Sequence, residues 1–168
     1  MRIKKRPTKD EYYLYIARQV ATRATCLRRH FGAVIVKEDQ IVSTGYVGAP
    51  RATPNCIDIG FCAREQAGIP SGERYELCRS VHAEANAIIN AARAGVNILG
   101  GTMYLSGTNV SDGSIAEGKP CKMCQRMIIN AGIKEVIVRT PDGMKRYWVD
   151  HWVKEDKGYY TDQNIHGY

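Results

Sequence analysis

His82-Ala-Glu-Ala-Asn-Ala-Ile-Ile-Asn-Ala-Ala-Arg-Ala-Gly95 is followed in the chain by Thr102-Met-Tyr-Leu-Ser106, by Pro120-Cys-Lys-Met-Cys-Gln-Arg-Met-Ile-Ile-Asn130 and by Glu135-Val-Ile-Val-Arg139. The first segment is Ala-rich, carries an apolar face at Ala87, Ile88 and Ala91, and meets Gly95 where a helix C-cap belongs. The second and fourth are short apolar runs of strand length, and the third reads as a helix from Cys121 to Asn130. Helix, strand, helix and strand therefore alternate. This predicts an α/β fold with a largely parallel sheet covered by helices on both faces. Upstream, Gly32-Ala-Val-Ile-Val-Lys37 and Gln40-Ile-Val-Ser-Thr-Gly45 flank Glu38-Asp39 as a hairpin, and Thr8-x-x-Glu11 is a capping box for a helix from about Asp10 to Ala24.

The chain has 168 residues and a formal charge of +7. Its length and lack of repeats suit a single domain over 1–168: a basic tail at 1–9, a core at about 10–140 and a C-terminal extension at 141–168. Five of the 24 basic residues, Arg2, Lys4, Lys5, Arg6 and Lys9, stand in the first nine with no acid, leaving 19 to face 17 acidic residues. A near-neutral body argues against a polynucleotide partner, and the tail reads as a solvated segment. No run reaches the roughly 20 apolar residues that cross a bilayer, and the basic start lacks the apolar stretch of a secretory signal. The expected location is the cytoplasm, where cysteines at organised spacings bind metal or do chemistry more often than they form disulfides. Residues 47–80 show little periodicity, and a segment of that length needs a metal or a function to order it. Tyr147, Trp148, Val149, Trp152 and Val153 suggest a short helix over the core, and 156–168 read as loose.

The chemistry gathers at two helix starts. His82 opens one helix, and Cys121 and Cys124 open the next behind Pro120. One imidazole and two thiolates are a three-ligand zinc set with a fourth position left for water. Free N–H groups and the positive dipole end at a helix start favour thiolate, and Pro120 has no N–H to leave unsatisfied there. Glu84, two residues after His82, is the acid that a structural metal does not need and a hydrolytic one does: it accepts a proton and later delivers it to a leaving group.

With these residues the chain resembles the zinc-dependent cytidine and deoxycytidylate deaminases, whose pattern is His-x-Glu followed by Pro-Cys-x-x-Cys. Cys26-x-Arg-Arg before Gly32-Ala-Val-Ile-Val, Gly45-Tyr-Val-Gly-Ala-Pro50, Cys56, Cys78 and Ile128-Ile-Asn-Ala-Gly-Ile133 are similar to the deoxycytidylate branch. The resemblance implies a three-layer α/β/α fold with a mixed sheet of about five strands. It implies hydrolytic deamination of dCMP to dUMP with release of ammonia, a step that supplies dUMP for thymidylate synthesis. Zinc would be held by His82, Cys121 and Cys124, with Glu84 passing protons to ring N3 and to the departing amine, and the Ala83 N–H donating to the pyrimidine carbonyl. It further implies a homo-oligomer, often a hexamer, with dCTP and dTTP as effectors and Mg2+ beside the allosteric nucleotide. Val47 departs from the family's Gly-Tyr-Asn-Gly-x-Pro pattern and removes a polar group near bound nucleotide.

A monophosphate needs a cationic partner, and Arg28, Arg29 and Arg51 are the candidates, since a guanidinium fork matches phosphate. Cys26, Cys56, Cys62 and Cys78 are candidates for a second, structural zinc, with free buried thiols as the alternative. Tyr147 either stacks on the base or belongs to the core or an interface. Two other functions compete: deamination of a different cytosine or adenine compound (dCTP, a modified dCMP, cytosine, a tRNA adenosine), and a noncatalytic zinc module binding nucleic acid.

Overall fold

The computed structural model describes residues 6–70 and 72–156. Helix α1 (Lys9–Ala21) starts at the capping box read from sequence: Thr8 accepts from the Glu11 backbone, and the Glu11 side chain accepts from the Thr8 backbone. Strands β1 (Arg29–Lys37) and β2 (Gln40–Tyr46) form the expected hairpin. At its turn Glu38 and Asp39 take φ of 50° and 63°, the left-handed pair of a tight two-residue loop. That strained pair is held from α1, because the Tyr13 hydroxyl donates to the Asp39 carboxylate at 2.7 Å and to its carbonyl at 2.8 Å.

The irregular segment carries only two single-turn helices, α2 (Cys56–Ile59) and α3 (Ala63–Gln66), and a short 3-10 turn at Tyr75–Leu77. Then follow α4 (Ala83–Arg93), β3 (Thr102–Asn109), α5 (Lys122–Asn130), β4 (Glu135–Thr140), β5 (Gly143–Trp148) and α6 (Val149–Glu155). The sheet order is β2-β1-β3-β4-β5. Only β3 and β4 pair in parallel; the other three pairings are antiparallel, so the expected largely parallel sheet is mixed. The reason is topological. Strands β2, β3 and β4 do run in one direction, as helical crossovers require, but β1 lies between β2 and β3. Strand β5, whose last residues Tyr147 and Trp148 were expected in a short helix, returns from β4 through a tight turn and closes the edge; the helix itself is α6, with Val149 and Trp152 buried.

Every central strand is buried on both faces. Val34, Val36, Tyr104 and Ile137 face α1, where they meet Tyr13, Leu14 and Ala17. Ala33, Ile35, Met103, Leu105, Val136 and Val138 face α4, α5 and α6, where they meet Ala87, Ala91, Ile128 and Trp152. The helices lie unusually close to the hairpin. A Cβ on Gly32 would stand 2.2 Å from the Ala17 carbonyl oxygen, and one on Gly45 would stand 2.3 Å from the Ala87 nitrogen. Glycine is thus required for main chain to rest on main chain. Among the described residues no helix is long and apolar enough to cross a membrane. Residues 1–5 of the basic tail read at 1–9, and 157–168 of the segment read as loose, lie outside the described residues.

Candidate metal centre and substrate pocket

Helices α4 and α5 begin near the carboxyl ends of β2 and β3, where open α/β sheets place their ligands. His82 is the N-cap of α4 and Cys121 the N-cap of α5, both in extended backbone and neither using its side chain to cap its own helix. The residues that would ordinarily bond the first N–H groups instead point across at each other. His82 Nδ1 lies 3.5 Å from the Cys121 sulfur and 3.4 Å from the Cys124 sulfur. All three ligand atoms fall within 4.8 Å of one another, and among the described residues this is the one such group of three His, Cys, Asp or Glu side chains.

These separations fit zinc. With Zn–N of about 2.0 Å and Zn–S of about 2.3 Å, tetrahedral angles place nitrogen and sulfur about 3.5 Å apart. The site is also electrostatically set for a cation. The Cys121 thiol is held well below its usual range, first by the hydrogen bond with Cys124 and then by His82, while the same bond and burial push Cys124 up. A bound metal would take over the place of the thiol protons.

The centre is fixed to the sheet by side chains with no motif to mark them. Asn86 donates to the Tyr46 carbonyl at 2.7 Å and Asn90 to that of Thr44 at 2.8 Å, while the Ser43 hydroxyl donates to the Ala87 carbonyl at 2.7 Å. These three bonds lace α4 along β2. On the other side, buried Gln125 donates to the Pro120 carbonyl at 2.7 Å and holds the turn that presents Cys121. Asn at helix spacing, facing a strand that already reads as one, is the signal that was present in sequence.

Glu84 sits in the first turn of α4, 5% exposed, with the Cys124 sulfur as a hydrogen-bond partner. Burial raises its affinity for a proton above that of an ordinary carboxyl, against the opposing pull of His82. A carboxyl of raised proton affinity beside a metal site is placed both to accept a proton and to give it up. Buried Ala83, at the first helical position, has an N–H that the helix itself does not use.

The pocket that opens onto this centre is lined by His82, Ala83, Glu84 and Cys121, and by Arg28, Arg29, Val47, Cys26, Cys62 and Cys78. Arg28 is partly engaged by Glu65 at 2.9 Å, whereas Arg29 is exposed at the rim. Two candidates are not brought there. Arg51 lies on the surface and donates to Asn90 Oδ1 at 3.3 Å, because the turn at 50–53 carries it onto the outer side of α4. Tyr147 lies on β5, packed against Trp152 with ring centroids 6.1 Å apart, and is not among the pocket-lining residues. The lining residues that escaped the sequence reading include Arg64, Tyr75 and Lys119. Lys119 precedes Pro120 and could have been found by adjacency; the other two come from the irregular segment, which offers no pattern.

All six cysteines are free. Cys56 is buried, with its sulfur 3.7 Å from the Ser80 hydroxyl, and the Cys78 thiol is pushed up chiefly by burial, with the Cys26 and Cys56 sulfurs adding to the effect. These thiols share a neighbourhood without closing to the separations of the first set.

A His/Cys/Cys centre at paired helix starts, with a buried carboxyl in the same turn and a five-stranded mixed sheet behind it, defines a zinc-binding α/β protein of the deaminase type. Residues 7–140 match the model of the cytidine and deoxycytidylate deaminase zinc-binding region, and the chain belongs to that family. It is 35% identical over 137 residues to a deoxycytidylate deaminase of Mycobacterium phage D29, covering 79% of this chain and 94% of that one. It is 33% identical over 139 residues to the deoxycytidylate deaminase of Schizosaccharomyces pombe, covering 83% of this chain but only 39% of that longer protein. Among solved structures, the dCMP deaminase of cyanophage S-TIM5 in complex with dCMP and dUMP matches with a TM-score of 0.60 and 26% identity, over 81% of this chain and 84% of that one.

Proposed function

We propose that this protein hydrolytically deaminates dCMP to dUMP, and that His82, Cys121 and Cys124 hold the zinc while Glu84 moves the protons. The observation that carries the reading is the buried Glu84 carboxyl in the helical turn that His82 opens, beside a His82, Cys121 and Cys124 set of zinc dimensions. The names of the phage and yeast relatives, and the nucleotides in the cyanophage complex, supply the substrate. Zinc held there supplies a Lewis acid that makes water nucleophilic near neutral pH. Water adds its oxygen to C4 of the pyrimidine, and the C4–N bond breaks to release ammonia. Glu84 takes a proton from the attacking water at a carboxylate oxygen and delivers it to ring N3; it then takes the proton of the new C4 hydroxyl and passes it to the departing amine nitrogen, which leaves the C4 carbonyl of dUMP. Proton transfer of this kind contributes about 10²- to 10⁴-fold. Ala83 lines the pocket, and its N–H, left free by the helix, is the donor assigned to the ring carbonyl. Arg28 and Arg29 line the same pocket as partners for the 5′-phosphate, and Lys119 joins them at the rim.

A second zinc held by Cys26, Cys56, Cys62 and Cys78 is part of the proposal. It would order a segment whose own elements are single turns, and the mutual influence of three of the thiols supports it. The deciding experiment incubates the zinc-loaded chain with dCMP, dCTP, cytidine, cytosine and a tRNA substrate and follows ammonia. Release from dCMP above all others is expected; release from another member of the panel alone would reassign the substrate.

A further inference from the structure

One wall of the pocket is built from the irregular chain between β2 and α4, and at its centre is a buried cation. Arg64 on α3 is 6% exposed and forms no ion pair among the described residues. An uncompensated buried guanidinium is costly, so its surroundings should show what it holds. Its Nη2 donates to the Pro70 carbonyl at 2.8 Å and to the Glu73 carbonyl, tying the loop across itself. Its guanidinium carbon lies 4.9 Å from the centroid of the Tyr75 ring, over the ring's electron-rich face. Tyr75 in turn meets His82 with ring centroids 4.9 Å apart at 89°. The contacts thus run from a buried cation through an aromatic ring to a metal-ligand imidazole, and both rings line the pocket beside Glu84.

His82 has little freedom at the other end, since its Nδ1 faces the two sulfurs. A flat pyrimidine placed with C4 near Glu84 therefore has the Tyr75 ring as a neighbouring wall. We propose that Tyr75 is a substrate-contacting residue that sets where the pyrimidine lies against His82, and that Arg64 is the positioning residue that holds Tyr75 there. This rests on the deaminase reading for the identity of the substrate. The clamp between Arg64, Tyr75 and His82 does not depend on it.

The test uses the full-length, zinc-loaded chain and whichever compound of the panel releases ammonia. Tyr75→Ala raises KM at least about tenfold while kcat stays within about threefold and zinc content is unchanged; Tyr75→Phe stays within about threefold in both constants, because the ring and not the hydroxyl makes the wall. Arg64→Met reproduces the rise in KM, Arg64→Lys restores it by keeping a cation over the ring, and the Arg64→Met/Tyr75→Ala double variant is no worse than Tyr75→Ala alone. An unchanged KM in Tyr75→Ala overturns the substrate contact, and additive losses in the double variant overturn the positioning role. Nuclear Overhauser contacts between the Tyr75 and His82 ring protons supply a readout without substrate: present in the native chain and in Arg64→Lys, lost in Arg64→Met. Contacts that survive in Arg64→Met refute the clamp. A chain that releases ammonia from nothing in the panel fails the deaminase reading, and these contacts still decide the clamp. If Arg64→Met does not fold, Tyr75→Ala against Tyr75→Phe decides the substrate contact.

Discussion

The chain presents its cysteines in two ways. Cys121 and Cys124 ride on the first turn of a nine-residue helix packed into the core, and their sulfurs stand within 4.8 Å of His82 Nδ1. Cys56, Cys62 and Cys78 are carried by irregular chain whose helices are four residues long and Cys26 by the connection between α1 and β1, and their sulfurs share a neighbourhood without meeting at that separation. A regular element fixes a ligand before any metal arrives; an irregular one leaves the metal to do the ordering. Removal of a ligand should accordingly abolish chemistry in the first set and loosen structure in the second.

The largest expected effect lies in the first set. Cys124→Ser should lose the catalytic zinc and about 10³-fold or more of ammonia release, with the fold kept because the helix does not depend on the metal; metal analysis and circular dichroism together check this. Glu84→Gln, in the first turn of α4, separates binding from chemistry: zinc content should be unchanged while the rate falls about 10²- to 10⁴-fold. Unchanged deamination in that variant would remove Glu84 from the mechanism. In the second set, Cys56→Ser should lower the zinc content from two per chain to one and destabilise the chain by on the order of 2–4 kcal/mol, with activity per catalytic zinc within a few-fold. A purified native chain holding one zinc, with Cys26→Ser and Cys56→Ser as stable as native, would erase the proposed contrast. The smallest effect is a pH dependence in the helix that bears Cys56. Asp58 accepts from the Asn55 side chain and backbone, which hold its carboxyl below the usual range. The lowered folded-state value means that this capping contribution is present above the ordinary carboxylate range and is lost as pH falls through the depressed value. Protection of the Ile57 to Gly60 amides, referenced to intrinsic exchange at each pH, should therefore fall on acidification, and Asp58→Asn should remove most of that pH dependence.

The same contrast explains what could be read from the sequence. His82, Glu84, Cys121 and Cys124 were legible because each occupies a fixed place in a helix start, and the capping box at Thr8 and the hairpin turn at Glu38-Asp39 were legible for the same local reason. Strand β5 was not, because an edge strand is paired on one side only and Lys145 and Arg146 break the apolar signal. Sheet order was not, because alternation dictates the direction of β2, β3 and β4 but does not say that β1 inserts between two of them. Arg64 and Tyr75 escaped because a cation, a loop carbonyl and a ring that meet only in three dimensions leave no spacing in one. Arg51 and Tyr147 were candidates by residue type alone, and type does not specify where a side chain is carried.

The missing side chain at Gly45 has a further consequence. With the Ala83 carbonyl oxygen and the Ala87 nitrogen both inside the volume a Cβ would fill, α4 is seated on β2 by its own backbone. The height of the first metal ligand above the sheet is therefore a property of the main chain, insensitive to which apolar side chains fill the core beside it. Neighbouring positions such as Ile88 or Val42 can be exchanged in an engineered variant without retuning the metal site, whereas one methyl group at position 45 would lift the helix and carry His82 and Glu84 with it.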